Sequence, residues 1–573
     1  MPSRPAPGVI LLAVAAALLA SIALAAVVAV APSSGVVVAL LTVVAAAGWA
    51  VRRDLARPLA IGIVALALVA LVVGLAVAPL AAGIAASGAV LIAGHGRLRR
   101  ALVAALPVAG AAVGVAVLAL ATAAWPALVG VAAIVGVIVV LAVREPAWAL
   151  VPAIALVAFE GSIKILLEGE TGAFGVSNRV VGAAAIDVAL FAAVAGVLAS
   201  DRLRTPRALW AGASRAERIA IALLGAWLAL SVVQIALNTD LASGFKGFRL
   251  FQAYVAVALA AAVVAARPGR AGRAVLAIGF AVALYAAARV VVGPSDAEER
   301  YALSFASTTA YGDEVRAVGS FSGATGLSSY LTPLVVFSLV LAILVPRLRR
   351  ASFAVAGLGL VAVLATYGRG PLVAIALGLA FALVFVLAAR DVSRRRKLVA
   401  VALVAGALGA AFTALYVASL SSPVLRERAE GLIDPQGDVS LQMRFDGWAD
   451  AVELVRERPL GRGLGSVGAV TDKQPDRYLV TDNSFLKVLV EQGILGGVLF
   501  LGGLLAAIAV LIRRLRRAAG GARALGLAAL AGFVAFLCLA LTGEYVEQPG
   551  KVVAWGLLGV AAAQAFRRPE APA

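Results

Sequence analysis

Cysteine and histidine are almost absent from this 573-residue chain, with one of each, Cys538 and His95. A lone cysteine within an apolar run excludes an intrachain disulfide. One histidine and one cysteine cannot supply the ligands of a zinc site. No Asp-x-Asp pair occurs, which disfavours a metal-held nucleotide-sugar donor, and neither a cofactor nor a metal is expected. Charge is scarce as well, at 14% of residues. The alternating pattern of a barrel strand is missing, and so is any internal repeat.

What fills the chain is apolar sequence: 63% of residues are hydrophobic, in blocks of 17 to 25 separated by short charged punctuation. Crossing a hydrocarbon layer about 30 Å thick takes roughly 20 apolar residues at 1.5 Å each. Backbone exposed to lipid must satisfy its own hydrogen bonds, so the spans are helices. The fold class expected is all-α, a polytopic transmembrane helix bundle of about 18 candidate spans, with a large and partly helical extracytoplasmic loop. The candidates are 8–30, 35–51, 58–76, 79–96, 101–123, 125–143, 146–160, 184–200, 217–237, 247–266, 273–292, 326–345, 351–367, 370–389, 397–418, 484–512, 522–542 and 550–566. The first is read as a retained helix rather than a cleaved signal, because it is long and a second span follows at once.

The net charge of +19 is placed where it sets topology. Arg and Lys cluster in 201–218, 267–273, 347–350, 390–397 and 513–523, while the loops between are acidic or mixed. By the positive-inside rule the basic loops are cytoplasmic, as are both termini, and the others lie outside. Cations scattered over loops form no groove, so nucleic acid is not an expected partner. Residues 1–143 carry almost no intramembrane polar group and read as scaffold helices. Residues 144–573 form the functional core, with extracytoplasmic loops 293–325 and 419–483. In the second loop Leu441, Phe445, Trp448, Val452 and Val455 recur at helical spacing, predicting an amphipathic helix on the membrane surface or the bundle.

Against that topology, the arginines on the outer side stand out. Arg249 lies in Lys246-Gly247-Phe248-Arg249, and Arg316 precedes Gly319-Ser320-Phe321-Ser322. Arg369 occupies the turn Thr366-Tyr367-Gly368-Arg369-Gly370-Pro371, and Arg444 sits beside the apolar stripe of the loop helix. Each alone reads as readily as an interfacial anchor or ion pair. Together they suit an anionic lipid-phosphate site, since a planar guanidinium fork matches phosphate oxygens. A glycine-rich run, Pro459-Leu460-Gly461-Arg462-Gly463-Leu464-Gly465-Ser466, reads as a plain loop or a nest of amides around phosphate. Asp482 and Asn483 could cap the helix opening near 484, or Asp482 could be a general base kept ionised by neighbouring arginines. Glu491, Glu544, Tyr545 and Glu547 are outer-face polar groups able to meet sugar hydroxyls or solvent. His95 has no expected role.

The order of Arg316 with Gly319 and Phe321, Tyr367-Gly368-Arg369-Gly370, Arg444 with Trp448, the Pro-Leu-Gly-Arg-Gly-Leu-Gly run, Asp-Asn-Ser-Phe-Leu and Glu491-Gln492-Gly493 resembles the O-antigen ligase and O-antigen polymerase superfamily. The resemblance covers roughly 180–560 and is most specific over 444–500. It implies a bacterial inner-membrane glycosyltransferase of polysaccharide biosynthesis that takes a glycan from a polyprenyl diphosphate carrier. The acceptor would be a glycan, lipid or protein, and the site would face outward among membrane lipids. Arg316 and Arg369 would then grip the donor diphosphate and Asp482 would act as the base. Arg249, Arg444, Arg462, Asn483 and Glu491 would bind diphosphate or glycan. The family commonly has a histidine where Asp482 stands, and this departure leaves three possibilities: Asp482 replaces it, the acceptor differs, or transferase activity is lost. The competing class is a transporter or flippase of lipid-linked oligosaccharides, for which cations should line a cavity reaching the cytoplasmic side.

Overall fold

The computed structural model describes residues 125–166, 178–199, 213–237, 241–265, 268–303, 310–311, 314–389, scattered positions between 392 and 413, 439–468 and 480–567. The candidate spans before residue 124 and His95 lie outside the described residues, as does most of 397–438.

Two compact units divide the chain, one of Met1–Ala153 with Ile163–Val197 and one of Ile154–Ser162 with Leu198–Ala573. The described helices of the first are α1 (Trp125–Arg144), α2 (Pro146–Val157, which runs on into the second unit) and α4 (Asn178–Ala199). α3 (Glu160–Leu166) lies at the junction in sequence.

The second unit carries α5 (Arg215–Leu237), α6 (Leu241–Leu250), α7 (Val255–Val264), α8 (Pro268–Val292), α9 (Asp296–Leu303), α10 (Ala324–Leu344), α11 (Arg349–Leu364), α12 (Arg369–Ala388), α13 (Val439–Glu457), α14 (Ser484–Arg517), α15 (Gly520–Ala540) and α16 (Gly550–Ala565). One antiparallel ladder of two residues on each side, β1 (Ala310–Tyr311) with β2 (Glu314–Val315), is all the strand structure among the described residues. By length and composition, seven described helical segments can cross a membrane, one of them made of α6 and α7 in succession. The chain is therefore an integral membrane protein built of helices.

α10 is the central helix. Almost every residue along it is buried, and α11, α15 and α16 pack around it. Two of its hydroxyls tie into the surrounding backbone: Tyr330 donates to the Ile154 carbonyl at 3.0 Å and Ser329 to that of Gly326 at 2.8 Å. Small residues permit the close approach that dispersion-driven packing in lipid needs; a methyl group at Gly532 of α15 would collide with the Pro333 carbonyl of α10. At the far end, Arg514 in the last turns of α14 pairs with Glu217 of α5 at 2.6 Å.

α14 is the element that departs most from the span expected at 484–512. Gly493 adopts φ 70° and ψ −175°, so the helix is broken there. Only a residue without a Cβ takes this conformation cheaply. The first nine residues form a separate short arm, with buried Lys487, Glu491 and Gln492 facing the protein.

The loop helix α13 exists as expected, but its stripe is rotated. Ala451, Leu454 and Val455 face inward, packing with Val467, Leu486 and Val490. Phe445 and Val452, assigned to the apolar face from spacing, are exposed. The small Ala451 lets the helix approach closely, and this contact fixes its rotation.

Candidate functional site

Four connections between helices meet at one end of the second unit. The backbone NH of Ala317 donates to the Ala365 carbonyl at 3.0 Å, and Arg316 donates from Nε to the Thr366 carbonyl at 2.8 Å. Arg316 is thereby fastened to the turn whose last residue, Arg369, opens α12. That turn abuts the connection from α15 to α16, because a Cβ at Gly370 would press on the Thr542 hydroxyl. The same connection is tied to the start of α14. Ser484 donates from Oγ to the Gly543 carbonyl at 2.8 Å and accepts from the Val546 NH at 3.3 Å.

Tyr545 lies at this crossing. Burial pushes its phenol above the ordinary value; Arg444 and Arg316, and a hydrogen bond with Ser328, act in the opposite direction, and Asp482 raises it further. One hydroxyl thus senses Arg316, Arg444 and Asp482 together. The structure brings these three to a common neighbourhood, with the Arg369 turn bonded to the first of them. Arg316, Arg369, Arg444 and Asp482 are each partly buried.

Two described non-glycine residues have positive φ, Tyr367 at 55° and Asp482 at 43°. Both flank this neighbourhood. Such conformations cost of order 1 kcal/mol or more and persist only where the surroundings enforce them. Around Asp482 the enforcing contacts are visible. Trp448 of α13 reaches its carbonyl through Nε1 at 3.5 Å. Asn483, next along, caps α14: its Oδ1 accepts from the NH groups of Phe485 at 2.9 Å and Leu486 at 3.2 Å. On the other side Thr481 is fully buried, and its NH and Oγ1 both contact Glu544 Oε1 at 2.8 Å.

Behind Asp482 is a buried cluster of opposite charges. Lys487 Nζ donates to the Val467 carbonyl at 2.6 Å and to Glu491 Oε1 at 2.8 Å, and lies 3.1 Å from Glu547 Oε1. The half-buried Glu544 is raised above the ordinary carboxyl value by burial first; Lys487 opposes the shift, Glu547 adds to it, and the Thr481 bonds oppose it. Three carboxyl groups thus surround the Lys487 ammonium. Lys551 stands on the far side of Glu547, donating to its carbonyl at 2.7 Å and lying over the Tyr254 ring at 4.3 Å.

The glycine-rich run is a clamp on the break in α14. The NH groups of Arg462 and Gly463 donate to the carbonyls of Val490 and Glu491, both at 2.9 Å, and that of Gly465 to Glu491 Oε1 at 2.8 Å. In return the Ile494 NH donates to the Pro459 carbonyl at 2.9 Å. These amides complete the hydrogen bonds that the kink would leave open, so they do not form a nest around phosphate. The Arg462 side chain pairs with Glu457 at 2.6 Å on the exposed side. Glu491, considered for sugar contacts, is buried against Lys487. Arg249 is in the last turn of α6, partly buried. Two residues earlier, Gly247 lies directly against the Gly465 backbone, where a Cβ would not fit.

Lys487 and Thr481 were not singled out from sequence, and the structure gives both a role. A signal existed for Lys487: an ionisable residue four positions before Glu491 at the start of an apolar helix is costly without a partner. Thr481 carried none, because its partner Glu544 is 63 residues away.

The fold and this end of it define an integral membrane protein with cations and carboxylates gathered where its helices turn. Residues 353–501 match the family described as O-Antigen ligase. That segment supports the O-antigen ligase superfamily, and with it the class of membrane glycan ligases and polymerases of polysaccharide biosynthesis. It takes in the Arg369 turn, α13 with Arg444, the glycine clamp, Asp482 and the kinked α14; Arg316, Glu544 and Tyr545 lie beyond it. None of the curated proteins matches the chain.

Proposed function

We propose that this protein transfers or polymerises a polyprenyl-diphosphate-linked glycan onto an acceptor hydroxyl, as an inverting, metal-independent glycosyltransferase. On this reading residues 144–573 are the catalytic core, residues 1–143 are scaffold helices within a bundle of about 18 spans, and the site opens on the outer face of a bacterial inner membrane. The observation that carries it is the meeting of Arg316, Arg444 and Asp482 around Tyr545, with Arg316 bonded to the turn that presents Arg369.

The acceptor oxygen attacks the anomeric carbon while its proton passes to the Asp482 carboxylate. The bond from that carbon to the diphosphate oxygen breaks, and its electron pair leaves with the polyprenyl diphosphate. Arg316 and Arg369, helped by Arg249 and Arg444, stabilise the charge that develops on the leaving group; one such donor is worth about a hundredfold in rate or more. Arg462, Asn483 and Glu491 are the weaker assignments. The side-chain oxygens of Asn483 and Glu491 already serve the α14 cap and the lysine cluster, which leaves Asn483 its amide NH2 for a sugar. A transporter receives no support from the family match.

The test is glycan transfer in membranes carrying Arg369→Ala or Asp482→Ala. Loss of transfer in both is expected, and undiminished transfer in both ends the assignment. The chain length of the lipid-linked intermediate that accumulates without the protein separates ligase from polymerase.

A further inference from the structure

Asp482 holds a left-handed backbone conformation, φ 43°, which aspartate tolerates better than most residues but which still carries an energetic cost. On its N-terminal side Thr481 is held twice, by a Glu544 carboxylate oxygen and by the Asn483 carbonyl, which lies 3.0 Å from Thr481 Oγ1 and so brackets Asp482. Glu544 Oε1 accepts from both the NH and the Oγ1 of Thr481, each at 2.8 Å. Two bonds, one from the backbone NH and one from the side chain of a single buried residue, fix the orientation of Thr481, and Asp482 follows it directly in the chain. Glu544 is itself held: its other oxygen lies against the Gly468 backbone, where a Cβ would overlap it. The Lys487 ammonium beside that glycine anchors Val467, Glu491 and Glu547 together.

We propose that Glu544 is a positioning residue for Asp482, acting through Thr481 and braced by the buried Lys487 cluster. This rests on the reading of Asp482 as the base, and it adds a residue outside the matched segment. The role belongs to the accepting oxygen, so an amide can fill it. In Glu544→Gln the carbonyl oxygen still accepts from Thr481, while the NH2 group can face Glu547, whose Oε2 lies beside the same glycine.

The experiment is steady-state transfer by the purified full-length chain, with kcat and donor KM measured separately. A displacement of about 1 Å at a reacting group costs about a hundredfold. Glu544→Ala is therefore expected to lower kcat by about ten- to a hundredfold with donor KM within about twofold of the parent. Glu544→Gln is expected to restore kcat to within about threefold, since a hydrogen bond to a neutral acceptor is only moderately weaker. If Glu544→Ala does not fold, Thr481→Val and Thr481→Ser replace it: kcat falls with Val and recovers with Ser. Parental kcat in Glu544→Ala or in Thr481→Val overturns the proposal. So does a Gln variant as slow as the Ala one, which would make the carboxylate itself the agent, or a rise in donor KM alone. Asp482→Asn separates the two readings. If it is inactive while Glu544→Ala is fully active, only the positioning role is lost; if it is fully active, the base assignment goes too.

Discussion

Replacing Lys487 by Met removes the ammonium that bonds Glu491 from a pocket that holds Glu491 and Glu547 nearly free of solvent, with Glu544 at its edge. Methionine matches the lysine in length and apolar volume, so the packing loss is small and the electrostatic loss dominates. The Val467 carbonyl, Glu491 Oε1 and Glu547 Oε1 all lose the Lys487 ammonium. Breaking a buried pair by removing one partner costs about 3–5 kcal/mol, because the remaining charge stays desolvated. For a unit of several hundred residues unfolding together, the entropy of unfolding is about 0.8 kcal/mol per kelvin, which converts that cost to a drop of roughly 4–6 °C. The assay is thermal unfolding of detergent-purified protein. Lys487→Met with Glu491→Gln removes one ammonium and one carboxylate and is expected to recover at least half of the loss. A Lys487→Met protein that melts with its parent would refute the description of this cluster as a buried, interdependent ion network.

Other outcomes follow from the same geometry. Gly493→Ala places a Cβ against the Pro459 carbonyl and demands φ 70° of a residue that resists it; it should destabilise the protein by about 1–3 kcal/mol and expose the 459–465 run to limited proteolysis. Asn483→Ala removes the α14 cap and should lower stability by about 1 kcal/mol, while Asn483→Ser, which keeps an accepting oxygen, should lose only a fraction of it. The Glu544 carboxyl is raised in the folded protein, so the folded state retains its proton to higher pH than the unfolded chain. Its contribution is full below the ordinary value of 4.5 and declines as pH rises through the folded titration. Glu544→Gln should flatten that part of the stability profile in pH-dependent melting, and an unchanged profile would count against the shift.

Much of the architecture could be read before the fold was seen, because helices in lipid answer to length and apolar composition alone. α10, α12 and α15 lie within a few residues of the spans written from the apolar blocks. Features governed by contacts between distant segments were less visible. The break at Gly493 follows Glu491-Gln492 in a stretch long enough to read as one continuous span, and the partner that needs this glycine is the distant 459–463 loop. The rotation of α13 was misjudged because spacing ranks Phe445 above Ala451, whereas close packing favours the smaller side chain. At the site, Arg316 and Arg444 drew notice through the charge pattern of the loops, and both act on the Tyr545 hydroxyl. Tyr545 was noticed only as an outer polar group, and Glu544 gains its meaning from Thr481, which no pattern in the chain connects to it.

Release of polyprenyl diphosphate from a lipid-linked donor by the purified protein, with and without an acceptor, bears most directly on whether Asp482 and the surrounding arginines perform glycosyl transfer. Release that requires acceptor, slowed about a hundredfold or more by Asp482→Asn through loss of the base and by Arg369→Ala through loss of charge stabilisation, is the result expected. Equal rates in parent and both variants would contradict it.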